Sequence, residues 1–165
     1  MTIELVRLLK HMAWANQLTI KHLLTLPLEA LKAYATNPEW SVAEITHHIV
    51  DSADSYAYRI SGSHPELSGD SIQGIEKIAD LEVLAKQAAA IDSALLQSVK
   101  LDDEQLELMN HSGNLVKRWR STILSQSIHH ATEHRAQIAG ALEAKGFKPV
   151  NLDDLDLWSY EIKNG

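Results

Sequence analysis

The sequence predicts an all-α domain built as a four-helix bundle, and three observations support this. Apolar residues recur at three- and four-residue steps in four long segments, which is the period of an α-helix. The composition, with one Phe, seven Gly and plentiful Ala and Leu, favours helices. Start and stop signals bound most of the segments. At 165 residues the chain is expected to form one domain, residues 1–165, around a single core.

The first two predicted helices have recognisable ends. Helix 1 runs from about Thr2 to Leu26 and ends at Pro27, because the residue before a proline avoids the α region. Helix 2 starts at a capping box, with Ser41 as the N-cap and Glu44 three residues later. It extends to about residue 61, before a glycine.

The next stretch combines a long connection, a third helix and an ambiguous segment. Residues 62–75 carry three Gly and one Pro and form the connection. Asp80 is predicted to cap helix 3, which ends near Val99. Apolar residues then lie on both sides of the Gly-containing stretch 111–114, which favours a short β-hairpin. Residues 102–109 are equally compatible with a short helix.

The fourth helix and the tail complete the fold. Helix 4 starts near Arg118 and ends at Gly146, a C′ glycine followed by Pro149. The tail after Asn151 alternates acidic and apolar residues. We expect it to pack across the bundle.

Composition excludes several function classes. A net charge of −7 without a basic stripe argues against a nucleic-acid partner. The absence of cysteine excludes disulfides and thiolate ligands, so any metal must be held by nitrogen and oxygen donors. The N-terminus lacks the apolar core of a signal peptide, and no apolar run reaches the roughly 20 residues that span a bilayer. We expect a cytoplasmic protein with no membrane contact.

The most informative motif is His130-Ala-Thr-Glu-His134 in the fourth predicted helix. Two histidines four positions apart lie about 40° apart around a helix axis and one turn apart along it. Both imidazoles can therefore point at one metal ion, for which imidazole is a common ligand. Alternatively, both side chains are buried and hydrogen-bonded to carboxylates.

Helix 2 supplies a candidate third ligand, His48, which falls on the same stripe as Ile45 and Ile49. Its neighbour His47 lies about 100° further round the helix and is expected to face solvent or a flank. Three imidazoles from two helices leave coordination positions for water or substrate. That open arrangement is typical of a catalytic metal site.

Two carboxylates are candidate catalytic residues. Asp51, three residues after a candidate ligand, is placed to orient that ligand or to accept a proton from bound water, or else is a solvated helix residue. Glu133 completes the H-x-x-E-H pattern of inverted zincins, where it would be the general base. Its alternative role is to orient a ligand or pair with Arg135. Trp14, Asn16 and Tyr56 are candidates to line a pocket beside the metal. Core packing also explains Trp14, and solvent exposure or a bundle hydrogen bond also explains Asn16.

These motifs resemble the DinB/YfiT-like superfamily of candidate metalloenzymes over most of the chain. The opening helix carries H-M-A-W-A-N and ends in T-L-P, and the second-helix segment reads S-V-A-E-I-T-H-H-I-V-D. The fourth-helix segment, H-H-A-T-E-H-R-A-Q-I, is similar to the family's signature there. The closing G-F-K-P-V-N-L-D-D-L-D-L is similar to its final segment.

The resemblance implies a four-helix bundle, often a homodimer, with a divalent zinc, nickel, iron or manganese ion. It implies His48, His130 and His134 as the ligands, although helix 2 also offers His47. Some relatives are transferases or isomerases that use a low-molecular-weight thiol. The leading hypothesis is thus a metal-dependent enzyme that activates water or such a thiol for transfer or hydrolysis on a small molecule. The alternatives are a non-catalytic, metal-stabilised dimeric bundle and an inverzincin-type metallohydrolase.

Overall fold

The structure is a computed structural model that describes residues 4–67, 72–110 and 112–164. These residues are mostly helical, as predicted. The elements in order are α1 (Leu5–Leu23), α2 (Val42–Ser61), α3 (Ile78–Ser98), β1 (Gln105–Met109), β2 (Leu115–Trp119), α4 (Arg120–Ala144) and α5 (Leu157–Asn164). The predicted start of helix 1 at Thr2 and part of the predicted 62–75 connection lie outside the described residues.

Helix α2 begins and ends where the sequence predicts. Ser41 has an extended backbone, and its Oγ accepts the N–H of Glu44 at 3.3 Å. This hydrogen bond satisfies one of the free N–H groups in the first turn. Gly62 ends the helix at φ 77°, a conformation that costs glycine little. Strong local signals at both ends therefore fix the helix that carries His48.

Helix α3 shows one difference from the prediction, which made Asp80 its N-cap. Asp80 lies inside the first turn, and its Oδ2 accepts the N–H groups of Glu76 at 2.9 Å and Lys77 at 3.0 Å. The carboxylate thus satisfies backbone donors that precede it in the chain. The helix starts at Ile78 as a result.

The ambiguous segment before α4 is a β-hairpin. Strands β1 and β2 are antiparallel, with Gln105 opposite Trp119 and Met109 opposite Leu115. The predicted hairpin is confirmed and the short-helix alternative is wrong. Residue 111 of the predicted turn lies outside the described residues. Because β2 extends to Trp119, α4 starts at Arg120 rather than near Arg118.

The end of α4 matches the prediction. Gly146 has φ 75°, and its N–H donates to the carbonyl of Glu143 at 3.0 Å. The N–H of Phe147 donates to the carbonyl of Leu142, also at 3.0 Å. These two hydrogen bonds form a Schellman motif, which satisfies carbonyls of the last turn.

The long helices pack so that α2 contacts α3 and α4, and α1 contacts the same two helices. Their shared core holds fully buried Leu, Ile and Met side chains, among them Leu9, Met12, Ile45, Leu84, Ile91, Leu124 and Ile138. None of the helices in the described ranges is both long enough and apolar enough to cross a membrane. The α2–α4 contact is the one that positions the candidate site.

The tail packs against α1. Leu155 is buried, and its carbonyl accepts a hydrogen bond from His11 Nε2 at 2.7 Å. The ring of Tyr160 in α5 meets the edge of Trp14 at 5.4 Å between centroids. These contacts hold the C-terminal segment beside α1.

Candidate metal centre

The two histidines of the α4 motif point their ring nitrogens at each other. His130 and His134 lie on one side of the helix, and their Nε2 atoms are 3.1 Å apart. Both side chains are half-buried. The spacing of four residues therefore brings two potential ligand atoms together, as predicted.

Helix α2 brings the third imidazole to the same point. His48 Nε2 lies 3.1 Å from His130 Nε2, and the three ligand atoms all fall within 4.8 Å of one another. Among the described residues no further His, Asp or Glu joins this group. The structure thus brings together all three predicted ligands, in a cluster that could hold a metal ion.

The distances and the chemistry of the donors both fit a divalent ion. Two nitrogens bound to a tetrahedral zinc ion at about 2.0–2.1 Å are roughly 3.3–3.4 Å apart. The observed 3.1 Å separations are within a few tenths of an ångström of that value. Metal binding would also satisfy three half-buried nitrogens at once.

The electrostatics keep two of these imidazoles neutral, which is the form that binds metal. Burial lowers the pKa of His130 to about 4, with further lowering by His134 and His48. Burial also lowers the pKa of His48, and the neighbouring His134 adds to the effect. Near neutral pH, protons therefore compete little for these ring nitrogens.

His47 does not belong to the cluster. Its Nε2 donates to the carbonyl of Ile72 at 3.2 Å, on the side of α2 that faces α3. A small cavity there is lined by both of these residues and by Asp51, Asp54 and Gln87. The sequence left open whether His47 or His48 is the ligand. In the structure, His48 is the one that belongs to the three-histidine group.

The two candidate catalytic carboxylates lie at the surface. Asp51 is exposed, yet it is close enough for its charge to act on His48, whose pKa it tends to raise. Glu133 is exposed on α4. It does not pair with Arg135, whose guanidinium donates to Asn16 Oδ1 at 2.7 Å and to Thr132 Oγ1 at 2.9 Å.

The two aromatic candidates for the pocket have different surroundings. The ring of Tyr56 meets His130 edge-on at 5.8 Å between centroids, beside the cluster. Trp14 instead contacts His11 and Tyr160 on the far side of α1. Core packing against the tail, one of the two predicted explanations, therefore accounts for Trp14.

Sequence reasoning missed a contact from the segment before α2. Trp40 Nε1 donates to Gln137 Oε1 at 2.9 Å, and the same oxygen lies 2.9 Å from His134 Nδ1. The indole ring also meets His48 and His134 edge-on, at 5.1 and 5.6 Å between centroids. Gln137 lies three residues after His134 on the same side of the helix, which was a usable signal. No local pattern indicated Trp40.

A buried polar network was predicted only in part: a bundle hydrogen bond for Asn16 was one of the alternatives, but its partners Asp92 and Arg135 were not identified. Asn16 donates to Asp92 Oδ2 at 3.3 Å and accepts from Arg135, so that it bridges the acid and the guanidinium. Burial raises the pKa of Asp92 to about 7 and lowers the pKa of Arg135 to about 10. The network joins α1, α3 and α4, and its Arg135 is the residue that follows His134 in the sequence.

The comparison with known families agrees with this geometry. The profile of the DinB family matches residues 1–163, which is nearly the whole chain. No curated protein matches the chain. The match includes both helices that carry the three histidines, and it is the same family that the motifs resemble. The chain belongs to the DinB family.

Proposed function

We propose that the chain is a metal-dependent enzyme whose divalent ion is held by His48, His130 and His134. The ion would act as a Lewis acid that lowers the pKa of a bound water or low-molecular-weight thiol. The nucleophile formed in this way would act on a small molecule by transfer or hydrolysis. The observation that carries the proposal is the convergence of three Nε2 atoms with no fourth acidic or histidine ligand among the described residues.

The remaining residues of the site have narrower roles in this proposal. Tyr56 lies edge-on to His130, and Trp40 lies edge-on to the other two imidazoles, so aromatic rings bound the cluster on two sides. Asp51 and Glu133 are the candidate proton acceptors. The charge of Asp51 tends to raise the pKa of His48, so this carboxylate lies within electrostatic range of the cluster.

The identity of the metal is constrained by the donor set. Imidazole ligands suit zinc, nickel and iron, and the chain has no thiolate to offer. We include manganese because the family resemblance implies it as one of the possible ions. The proposal further includes a four-helix bundle formed by α1–α4, a homodimer in the cytoplasm, and no nucleic-acid partner, the last supported by the net charge of −7.

A second candidate function is a non-catalytic, metal-stabilised dimeric bundle. One observation favours it: Ser52 Oγ lies 3.4 Å from His48 Nε2, so a side-chain oxygen lies close to one of the three ligand atoms. An inverzincin-type hydrolase is a third candidate. It has less support, because Glu133, its required base, is exposed.

Cobalt substitution tests the proposal and separates it from the second candidate. Untagged, metal-stripped protein is titrated with Co²⁺, and the visible absorption of the bound ion is followed. We expect one Co²⁺ per chain, and no binding to the His130→Ala/His134→Ala variant. Added 2-mercaptoethanol should then produce a thiolate-to-cobalt charge-transfer band, because a coordination position is open.

Two results would contradict the proposal. Absence of stoichiometric Co²⁺ binding would remove the metal site itself. A bound Co²⁺ whose spectrum does not change when the thiol is added would indicate a closed coordination sphere. That result would favour the non-catalytic, metal-stabilised bundle. In that case, a thiol response in Ser52→Ala that the wild type lacks would identify the Ser52 hydroxyl as the ligand that occupies the remaining coordination position.

A further inference from the structure

The contact between Trp40 and Gln137 fixes which end of the Gln137 amide faces the candidate ligands. An indole N–H can only donate a hydrogen bond. The Gln137 atom that lies 2.9 Å from Trp40 Nε1 is therefore the amide oxygen and not its NH₂ group. The orientation of this amide follows from hydrogen-bonding chemistry alone.

The same oxygen determines where His134 carries its proton. His134 Nδ1 lies 2.9 Å from Gln137 Oε1, and an amide oxygen can only accept. Nδ1 must therefore be the protonated nitrogen of a neutral ring. The lone pair is then left on Nε2, the atom that lies 3.1 Å from His130 Nε2.

We propose that Trp40 and Gln137 are positioning residues that hold His134 in the Nδ1–H tautomer and so present its Nε2 lone pair to a metal ion. The role in metal binding rests on the proposed function. The tautomer itself does not, because it is a property of the metal-free protein. Outer hydrogen bonds of this kind commonly set the tautomer and orientation of metal-binding histidines.

Trp40 matters because a glutamine amide has two ends. Without the indole donor, the amide can rotate and present its NH₂ group to His134 Nδ1. That nitrogen would then accept, and the proton would move to Nε2, where it blocks metal binding. Gln137 is exposed, so water also competes for its oxygen, and the second hydrogen bond from Trp40 stabilises one orientation.

The tautomer can be measured directly by ¹⁵N NMR of the histidine rings in metal-stripped, untagged protein. At about pH 8.5, well above the usual imidazole pKa, we expect His134 to have a protonated Nδ1 and an unprotonated Nε2. In Trp40→Phe, which keeps a ring but lacks the N–H, we expect a substantial population with the proton on Nε2. Assignment of the His134 signals comes from a His134→Gln variant.

A rescue variant distinguishes tautomer control from simple packing. A carboxylate has no donor end, so Glu at position 137 accepts from Nδ1 whether or not the indole is present. Trp40→Phe should weaken Co²⁺ binding by about 10- to 100-fold, the usual effect of losing an outer hydrogen bond to a ligand. Trp40→Phe/Gln137→Glu should restore both the Nδ1–H tautomer and the wild-type affinity.

Trp158→Phe is the matched control, because Trp158 is 78% exposed on α5. This variant should change neither the tautomer nor the Co²⁺ affinity.

The inference is overturned if wild-type His134 carries its proton on Nε2. It is also overturned if Trp40→Phe keeps the Nδ1–H form, or if the double variant binds Co²⁺ as weakly as Trp40→Phe. If Trp40→Phe does not fold, Gln137→Met, which removes the acceptor for His134 Nδ1, is compared with the wild type in its place. Failure of the wild type to bind Co²⁺ would remove the proposed function but leave the tautomer result intact.

Discussion

His48 Nε2 lies 3.1 Å from His130 Nε2, although the two residues are 82 positions apart and belong to different helices. The rotation of α2 about its axis decides this contact. Ile45 and Ile49 are buried in the core, which turns His48 towards α4, whereas His47 turns towards α3 and bonds the Ile72 carbonyl. Burial of one aliphatic stripe therefore selects the ligand.

This rotation predicts different outcomes for two neighbouring alanine variants. His48→Ala should weaken Co²⁺ binding by more than the roughly 100-fold that loss of an outer hydrogen bond costs, because it removes a direct ligand. His47→Ala should leave the Co²⁺ affinity unchanged, since this variant loses only the hydrogen bond to the Ile72 carbonyl. Competitive titration with a chromogenic chelator measures both. Equal losses in the two variants would contradict the assignment.

The exposed carboxylates should not be needed to hold the ion. We expect Asp51→Asn and Glu133→Gln to bind Co²⁺ with wild-type stoichiometry and affinity, because neither carboxylate lies in the ligand group. The same titration measures this. Loss of the metal in either variant would place that carboxylate in the coordination sphere and would revise the three-histidine site.

Asp92 should make the protein less stable as pH rises. Burial raises the pKa of Asp92 in the folded state to about 7 from its ordinary value of 3.8. Between these values the folded state holds a proton that the unfolded state has released, so the free energy of unfolding falls by at most about 1.4 kcal/mol per pH unit. The stability that protonated Asp92 contributes to the folded state is fully present below about pH 4 and is lost above about pH 7.

The comparison with Asp92→Asn isolates this effect. Urea unfolding of the metal-free proteins between pH 4 and pH 8 should show a difference in stability that shifts in favour of the variant as pH rises. The lowered pKa of His130 acts in the opposite direction in both proteins and cancels in the difference. A difference that stays constant across this range would show that Asp92 has an ordinary pKa.

Two glycines of the α4 region should respond in opposite ways to alanine. Gly146→Ala should destabilise the protein by about 1–2 kcal/mol, because its φ of 75° is unfavourable for a residue with a Cβ. Gly140→Ala, in the interior of α4, should stabilise it by roughly 0.8–1.0 kcal/mol. A Cβ at either position meets nothing within 4 Å, so packing does not confuse the comparison. Thermal unfolding measures both, and equal signs would contradict this explanation.

Sequence patterns predicted the parts of the fold that depend on neighbouring residues. Ser41 and Gly62 act on backbone groups within a turn of themselves, so the ends of α2 could be identified without tertiary information. The histidine pair of α4 is equally local. The position of His48 could also be inferred, because the aliphatic stripe of its helix indicates the buried side.

Contacts between distant segments were not visible in these patterns. Trp40 lies in an irregular segment and meets Gln137 only after α2 and α4 have packed together. No pattern singled out Asp92, since its partner Asn16 is 76 positions away. Periodicity specifies which side of a helix is buried, but it does not specify which polar groups will meet there.

X-ray absorption at the metal edge of the untagged chain tests the central claim most directly. The account predicts imidazole scattering from three nitrogens at about 2.0–2.1 Å, with an exchangeable oxygen in a further position. The His130→Ala/His134→Ala variant should show no bound metal. A spectrum without the imidazole signature, or one with four protein ligands that exclude the oxygen, would contradict an open three-histidine centre.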